Sequence, residues 1–591
     1  MNTMSRNPVG LERLVAATGL SPAPRVSAAT PYAPSRHGAP CDLDLAGTES
    51  TGPSASILAK GWSAARSVLG RYPNTGALAG ELAAALGVDV ARLVVTAGAD
   101  EAIDRVCRCV LSAGRNAIVT DPTFEMIPRY AALADGDVRR IAWPGGAFPV
   151  EAMIAAADEN TALVAIATPN NPTGAVATVD EIRRVHDAVP TALVLVDLAY
   201  IEYADADITR AVLDLPRAVA TRTLSKAYGM PGIRVGYAVA SPEVAGWIRR
   251  AGGPYPVSAA SIELARAALA ADGAVRAKRI AAVRSNRARL TVRLRELGGS
   301  PTDSEGSFVC ATGPRAAWLS DALAGQGIAT RFFGTTESVG TPRVRIAMPT
   351  DTRSVARLTR AVRVAFKPQA VLFDLDGVLA EVSDSYDAAV VRTAAAFGVT
   401  VSRVDVLARR AAGNANDDWA LTAALVAERR GTPVSIQQVT ATFERFYQGA
   451  DGTPGLCETE RLSVSPEWLA GLSSRFRLGV VTGRPRADAE AFLTRVGIRG
   501  LFGAVITRDD APLKPSPAPV QAALTALGVA RAWMLGDTPD DVASARAAGV
   551  LPIGVALAVA GEATNPLPTA LIRAGAARVV ANPMEIAQWL D

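Results

Sequence analysis

Lys226 lies in TRTLSKAYGMPGIRVGY, residues 221–237, between small hydroxyl residues and a glycine-rich segment that carries Arg234. A lysine that forms a Schiff base must be held near a carbonyl, and hydroxyls with an arginine suit a phosphate beside it. Residues upstream fit the same chemistry. Asp197 ends the apolar run VLVD. A buried carboxylate there needs a cationic partner, which a protonated pyridine nitrogen would supply. Asn171, in TPNNPTG, and Tyr200 could hydrogen-bond a phenolic oxygen. TAGADEAI at 96–103 sets small residues, Ala99 among them, before an acidic helix start, a ready anion site. Phe124, in DPTFEM, offers a flat face for a ring.

A second constellation follows in VLFDLDGVL, residues 371–379. A buried strand ending in Asp374-x-Asp376-Gly sets two carboxylates at the C-terminal edge of a sheet, where α/β ligands sit. Like charges held close are costly unless a cation joins them. Thr482 in GVVTGRP, Lys514 in APLKPSP, and Asp537 and Asp541 in AWMLGDTPDD follow later apolar runs in the same way.

Positioning these groups takes buried strands alternating with helices. ARLVVTAG, NAIVTD, TALVAIAT, TALVLVDL, AVLFDLDG, FRLGVVTG and RAWMLGD are short β-runs separated by Ala-, Leu- and Arg-rich helical stretches, so the fold class is α/β with parallel sheets. The chain has 591 residues, and at roughly 100–200 per domain that means about three to five units. With 49% hydrophobic and 20% charged residues it is no disordered or fibrous chain. Lys and Arg number 61 against 57 Asp and Glu, and a net charge of +4 over this length gives no reason to expect nucleic acid. The five cysteines are scattered, as expected of reduced thiols in the cytoplasm. The start, MNTMSRNPVGLERL, lacks the apolar core of a secretion signal, and no apolar run is long enough to span a membrane. Only His37 and His186 occur, so catalysis falls to lysine and carboxylates. We expect a partly flexible arm over 1–40, a first domain over 41–367, and a second over 368–591 after the helix-stopping Pro368.

The first part, about residues 10–365, resembles the fold-type I pyridoxal-phosphate aminotransferases, with large and small subdomains, and within them the histidinol-phosphate aminotransferase group. RYP at 71–73, GADEA at 98–102, PTF at 122–124, NNPTG at 170–174, D-x-A-Y at 197–200, TLSKA at 223–227 and RVGY at 234–237 match in order and spacing. The resemblance implies that Lys226 carries pyridoxal 5'-phosphate and moves the Cα proton, while Asp197 keeps the pyridine nitrogen protonated. It implies that Asn171 and Tyr200 contact the ring oxygen and Phe124 stacks on the ring. Thr223, Ser225, Arg234 and the amides of Ala99 and Asp100 would hold the cofactor phosphate. Tyr72 would reach that phosphate from a second subunit, implying a homodimer. Arg331 in GIATRFFG and Arg345 in PRVRIAMPTD would take the substrate's phosphate or carboxylate, Arg345 being favoured over its neighbour Arg343. The chain departs from the family at Thr48-Glu49-Ser50, where an Asn-rich N-E-N is usual, at Ser307 in SEGSF and at Leu198 in D-L-A-Y.

The second part, about 368–591, resembles the phosphatase branch of the haloacid dehalogenase superfamily, a Rossmann-like domain. That resemblance implies that Asp374 attacks phosphorus and Asp376 protonates the leaving alcohol, then activates water. Thr482 and Lys514 would neutralise phosphoryl oxygens. Mg²⁺ would be held by Asp374, the Asp376 carbonyl and Asp537, with Asp541 assisting. The insertion at about 381–470 reads as a helical cap that closes over a small substrate. In it, AGNANDDWAL would give a polar loop facing the site, with Asn414, Asn416, Asp417, Asp418 and Trp419; an ordinary turn and helix cap is the alternative.

Together the two resemblances imply transamination of a phosphorylated ketone followed by removal of the phosphate. The economical pairing is imidazole acetol phosphate to histidinol phosphate to histidinol, with glutamate as donor. A helical cap is unlike the capless histidinol phosphatases with a zinc loop, and these cysteines cannot build that loop. The rivals are the same chemistries on another phosphorylated amino ketone, a decarboxylase of a phosphorylated amino acid fused to a phosphatase, and a scaffold role for one half.

Overall fold

The computed structural model describes residues 21–590 apart from 34–35, 272, 337, 414–415, 451 and 558–564. Asn414 and residues 1–20 of the expected arm lie outside the described residues.

The first site stands on a seven-stranded sheet. Its strands are β1 Leu93–Thr96, β2 Asn116–Asp121, β3 Asp137–Ala142, β4 Thr161–Ala167, β5 Leu193–Asp197, β6 Ala218–Thr223 and β7 Gly236–Val239. They lie in the order β1-β7-β6-β5-β4-β2-β3, and β7 runs antiparallel to both neighbours. Strands β4, β5 and β6 are buried at every position, and β4 and β5 accordingly read as apolar runs rather than as alternation. Helix α1, Gly98–Val110, leaves the end of β1 with Asp100 and Glu101 in its first turn, complementing the helix dipole. A smaller sheet of β8 Ser300–Pro301, β9 Phe308–Thr312, β10 Arg331–Phe333 and β11 Arg343–Ala347 runs in the order β10-β11-β9-β8. Helices α2 Gly273–Glu296, α3 Arg315–Gly325 and α4 Thr352–Phe366 accompany it.

The second site stands on a six-stranded parallel sheet. Its strands are β12 Ala370–Phe373, β13 Arg477–Val481, β14 Phe502–Ile506, β15 Ala532–Gly536, β16 Leu551–Val555 and β17 Val579–Val580, in the order β14-β13-β12-β15-β16-β17. The order reverses at β12, so a crevice opens at the C-terminal ends of β12, β13 and β15. Between β12 and β13 the chain inserts helices α5 Tyr386–Ala396, α6 Arg403–Ala411, α7 Asp418–Arg430 and α8 Ile436–Gln448. Helix α9, Pro539–Ala547, follows β15 and begins with a capping box between Thr538 and Asp541.

One apolar core runs through both parts, from Phe308 and Trp318 to Phe373, Trp533 and Trp589. Trp318 of α3 stacks flat on Trp589, centroids 4.6 Å apart, and lies 4.9 Å from Trp533 of β15. Both buried indoles find partners on α4: Trp318 Nε1 donates to the Ala365 carbonyl at 3.0 Å and Trp533 Nε1 to that of Val364 at 2.7 Å. Arg578 Nε donates to Asp321 at 2.7 Å across the same seam.

Two candidate active sites

The first site is a cavity of about 290 Å³ at the C-terminal ends of β5 and β6 and under the smaller sheet. Lys226 follows β6, and its ammonium donates to Thr48 Oγ1, which also bonds the Tyr200 hydroxyl at 2.8 Å. Thr48 therefore ties the lysine to the tyrosine, a role the sequence reading left to a departure from a family motif. Asp197 sits at the end of β5, where Thr221 Oγ1 donates to it at 2.9 Å. Burial pushes its carboxyl up to about 6, and no ion pair answers it among the described residues. A buried acid lacking a cation fits the protonated nitrogen of a pyridine ring.

The groups expected around a phosphate converge at the start of α1. Gly98 holds φ +79°, and a Cβ there would come within 2.7 Å of the Arg234 guanidinium. Arg234, at φ 52°, pairs with Asp100 at 2.9 Å, and Thr223 Oγ1 donates to Ser225 Oγ at 2.9 Å. Ala99, Phe124 and Asn171 line the same cavity. Tyr72 does not; it is 80% exposed and stacks on Tyr255 at 4.7 Å.

Arg331 and Arg345 face each other across the β10–β11 register, and both line the cavity. Neither is a solvated strand residue: they are 9% and 7% exposed. Arg345 donates to Asn171 Oδ1 at 2.5 Å and to the Ala46 carbonyl at 2.6 Å. Arg331 Nη1 and Arg345 Nε are buried with no partner, as donors awaiting an anion would be. Arg343, the rival, is buried two residues earlier on the same face of β11 but lies outside the cavity lining.

The second site lies in the crevice at β12. Asp374 follows β12, Lys514 Nζ lies 2.8 Å from its Oδ1, and the same ammonium pairs with Asp541. Ligand oxygens of Asp374, Asp537 and Asp541 lie within 4.8 Å of one another, all buried. Burial, then the charge of Asp541, raises the carboxyls of Asp374 and Asp537. Burial alone would lower the Lys514 ammonium, yet the charges of Asp374 and Asp541 hold it up. Lys514 pairs with two of the three buried carboxylates and Asp537 has no ion pair among the described residues, so the set carries surplus negative charge and suits a hard divalent cation. Gly377 makes the set possible: it holds φ +66°, and a Cβ there would fall 2.2 Å from Asp537 Oδ2. Thr482, after β13, is buried beside them, and its hydroxyl accepts the Arg484 N–H at 3.1 Å.

The Asp376 carboxylate stands apart from the three. Arg484 grips it, with Nε 2.9 Å from Oδ1 and 3.2 Å from Oδ2, leaving the Asp376 carbonyl as its route to a metal. Arg484 also donates to Glu460 and Tyr447 of the insertion at 3.0 and 3.1 Å. Arg484 is not among the residues expected from the sequence; its only local signal is its place two residues after Thr482 in TGRP. The polar loop serves both readings offered for it. Asp417 caps α7, accepting from the Ala420 amide at 3.0 Å, while Asn416, Asp418 and Trp419 line the crevice. Asn416 donates to Asp540 at 2.9 Å, Trp419 Nε1 to Glu444 at 2.9 Å, and Arg508 lies 4.5 Å over the Trp419 ring.

Comparison with known proteins gives two families. Residues 46–362 match the model of aminotransferase class I and II, and residues 368–549 that of haloacid dehalogenase-like hydrolase. An imidazoleglycerol-phosphate dehydratase of Phytophthora nicotianae is 47% identical over 194 residues, 32% of this chain and 43% of that relative. Histidinol-phosphate aminotransferase 2 of Methylococcus capsulatus is 35% identical over 265 residues, 43% of this chain and 71% of the relative. The chain thus spans less than half the length of the first of these and about seven tenths of the second. A solved histidinol-phosphate aminotransferase from Sinorhizobium meliloti, in complex with pyridoxal-5'-phosphate, superposes with a TM-score of 0.53 at 24% identity, covering 59% of this chain and 99% of that one. At that identity the likeness is one of fold.

Proposed function

Because the chain belongs to the class I and II aminotransferase family and carries a haloacid dehalogenase-like hydrolase domain behind it, we propose that it is a bifunctional enzyme that transaminates a phosphorylated ketone and then hydrolyses the amino alcohol phosphate. The observation that carries this reading is the pair of buried arginines that line the Lys226 cavity, each with one nitrogen left without a partner, an anion subsite in a transaminase cavity. A phosphoryl-handling site in the same chain then makes the first product a fitting second substrate. Imidazole acetol phosphate and histidinol phosphate, with glutamate as donor, are the substrates we propose. Two relatives are named for phosphorylated imidazole compounds.

Pyridoxal 5'-phosphate supplies, when bound, an aldehyde that exchanges with amines and a ring that draws electrons from Cα. Asp197 would hold the charge of the ring nitrogen, and Thr223, Ser225, Arg234 and the start of α1 would take the phosphate. Asn171 and Tyr200 would hydrogen-bond the ring oxygen, and Phe124 would offer an apolar face to the ring. Lys226 carries the proton at the substrate Cα, and Thr48 keeps its ammonium turned toward Tyr200. Arg345 binds the anion of the substrate, and Arg331 lies beside it. We place Tyr72 against the neighbouring active site of a homodimer, which fits its exposure.

Mg²⁺ supplies, when bound, charge that lets a carboxylate approach a phosphate dianion, and Asp374, Asp537, Asp541 and the Asp376 carbonyl would hold it. Asp374 attacks phosphorus, the alcohol leaves with the proton of Asp376, and Asp376 then takes a proton from the water that frees Asp374. Thr482 and Lys514 neutralise phosphoryl oxygens. Arg484 fixes the Asp376 carboxylate and ties it to the insertion. Asn416 and Trp419 of the cap contact the organic part of the substrate.

We place the domain boundary near 367, the cap at about 381–470, and the enzyme in the cytoplasm. Among the described residues no helix is long and apolar enough to cross a membrane. The test is phosphate release from histidinol phosphate with Mg²⁺, with Asp374→Asn as the blank. Asp374-dependent release supports the reading. Hydrolysis of a general phosphate ester without release from histidinol phosphate favours the second reading, another phosphorylated amino ketone, to which the helical cap also points.

A further inference from the structure

The transaminase cavity must admit two partners in turn, and their variable ends differ in charge: a carboxylate on glutamate, a ring on the ketone. Its two arginines are not equivalent. Arg345 is braced by neutral groups only, the Asn171 side chain and the Ala46 carbonyl, so its charge is free for an anion common to every substrate. Arg331 already has a carboxylate: its Nη2 lies 2.7 Å and 3.0 Å from the two oxygens of Glu125. Among the described residues no other carboxylate pairs with either arginine. Glu125 follows Phe124 and precedes the helix Met126–Leu133, and it caps that helix with no side-chain bond. Its side chain is 40% exposed while that of Arg331 is 11% exposed, so the acid can turn outward where the arginine cannot.

We propose that Glu125 is a specificity-determining residue that exchanges its carboxylate for that of the substrate, so that one pocket serves anionic and uncharged side chains. The proposal rests on the transaminase reading above. With glutamate, Arg331 binds the side-chain carboxylate and Glu125 swings into water, where its charge is solvated. With a ring, Glu125 stays on Arg331 and spares the pocket a buried, unpaired guanidinium. The partnerless Nη1 of Arg331 leaves room for a second anion contact during the exchange.

Two unreactive ligands separate the cases: glutarate, with a second carboxylate, and 3-phenylpropanoate, with a ring. Each is titrated into the full-length, cofactor-loaded protein by calorimetry. Glu125→Gln should bind glutarate about tenfold tighter, since no internal carboxylate competes, and 3-phenylpropanoate about tenfold weaker, since Arg331 is left unpaired beneath the ring. Glu125→Asp should restore the native ratio in part. Equal shifts for both ligands, or none, would overturn the exchange while leaving transamination intact. If glutamate leaves the absorbance of the bound cofactor unchanged in the native protein, it is the transaminase reading that fails.

Discussion

Asp197 links the first site to stability through its proton. An unfolded aspartate loses its proton near 3.8, whereas burial holds this one to about 6. The fold therefore binds the proton more tightly than the unfolded chain does. The contribution is full below the lower value and is lost as pH rises through the upper one, about 3 kcal/mol in cofactor-free protein. Asp197→Asn should flatten that part of the profile, read as urea midpoints between about pH 4 and 6; an unchanged slope would remove Asp197 as its source. Lys226→Ala should cost several powers of ten in transamination, because the residue serves both the covalent link and the proton transfer, while phosphate release from a supplied ester continues. Asp197 was legible in the sequence because it ends an apolar run, and Lys226 because small hydroxyl residues and Arg234 flank it. Thr48 and Glu125 were not. Their roles come from contacts reaching 178 and 206 residues along the chain, which no local spacing encodes.

At the scale of elements, the second site depends on a turn that only glycine can make. The strand β12 delivers Asp374 and Asp376, and Gly377 then turns the chain past Asp537 with no room for a Cβ. Gly377→Ala should abolish phosphate release and any Mg²⁺-dependent gain in thermal stability, while transamination persists. Retention of release would mean that the turn adjusts without moving Asp537. Strands β1, β2, β4, β5, β12, β13 and β15 were readable because burial makes them apolar runs, whereas the polar, half-exposed β3 was not, and the insertion was readable as helical. What could not be read was the attachment of the insertion to the chemistry. Arg484 joins Asp376 to Glu460 and Tyr447, and this three-way grip needs the insertion folded down on the sheet.

For the whole molecule, the short connector between α4 and β12 does not separate two independent bodies. Trp318 packs against both Trp533 and Trp589, and the indole donors of Trp318 and Trp533 end on α4. Trp318→Ala should cost about 3–5 kcal/mol and lower the heat-inactivation midpoints of both activities together. A fall in one alone would show two units that unfold separately. Relative placement was beyond sequence reasoning, because a tryptophan in an apolar stretch does not say which sheet it will cover. The central claim is that one chain performs both steps in succession. Its most direct test supplies imidazole acetol phosphate and glutamate to the protein loaded with pyridoxal 5'-phosphate and Mg²⁺, and follows 2-oxoglutarate and inorganic phosphate over time. Our account predicts equal amounts of both, with 2-oxoglutarate leading. Asp374→Asn should stop at the amino phosphate, and Lys226→Ala should yield no 2-oxoglutarate. Formation of 2-oxoglutarate with no phosphate from the native protein, while a general ester is still hydrolysed, would contradict it.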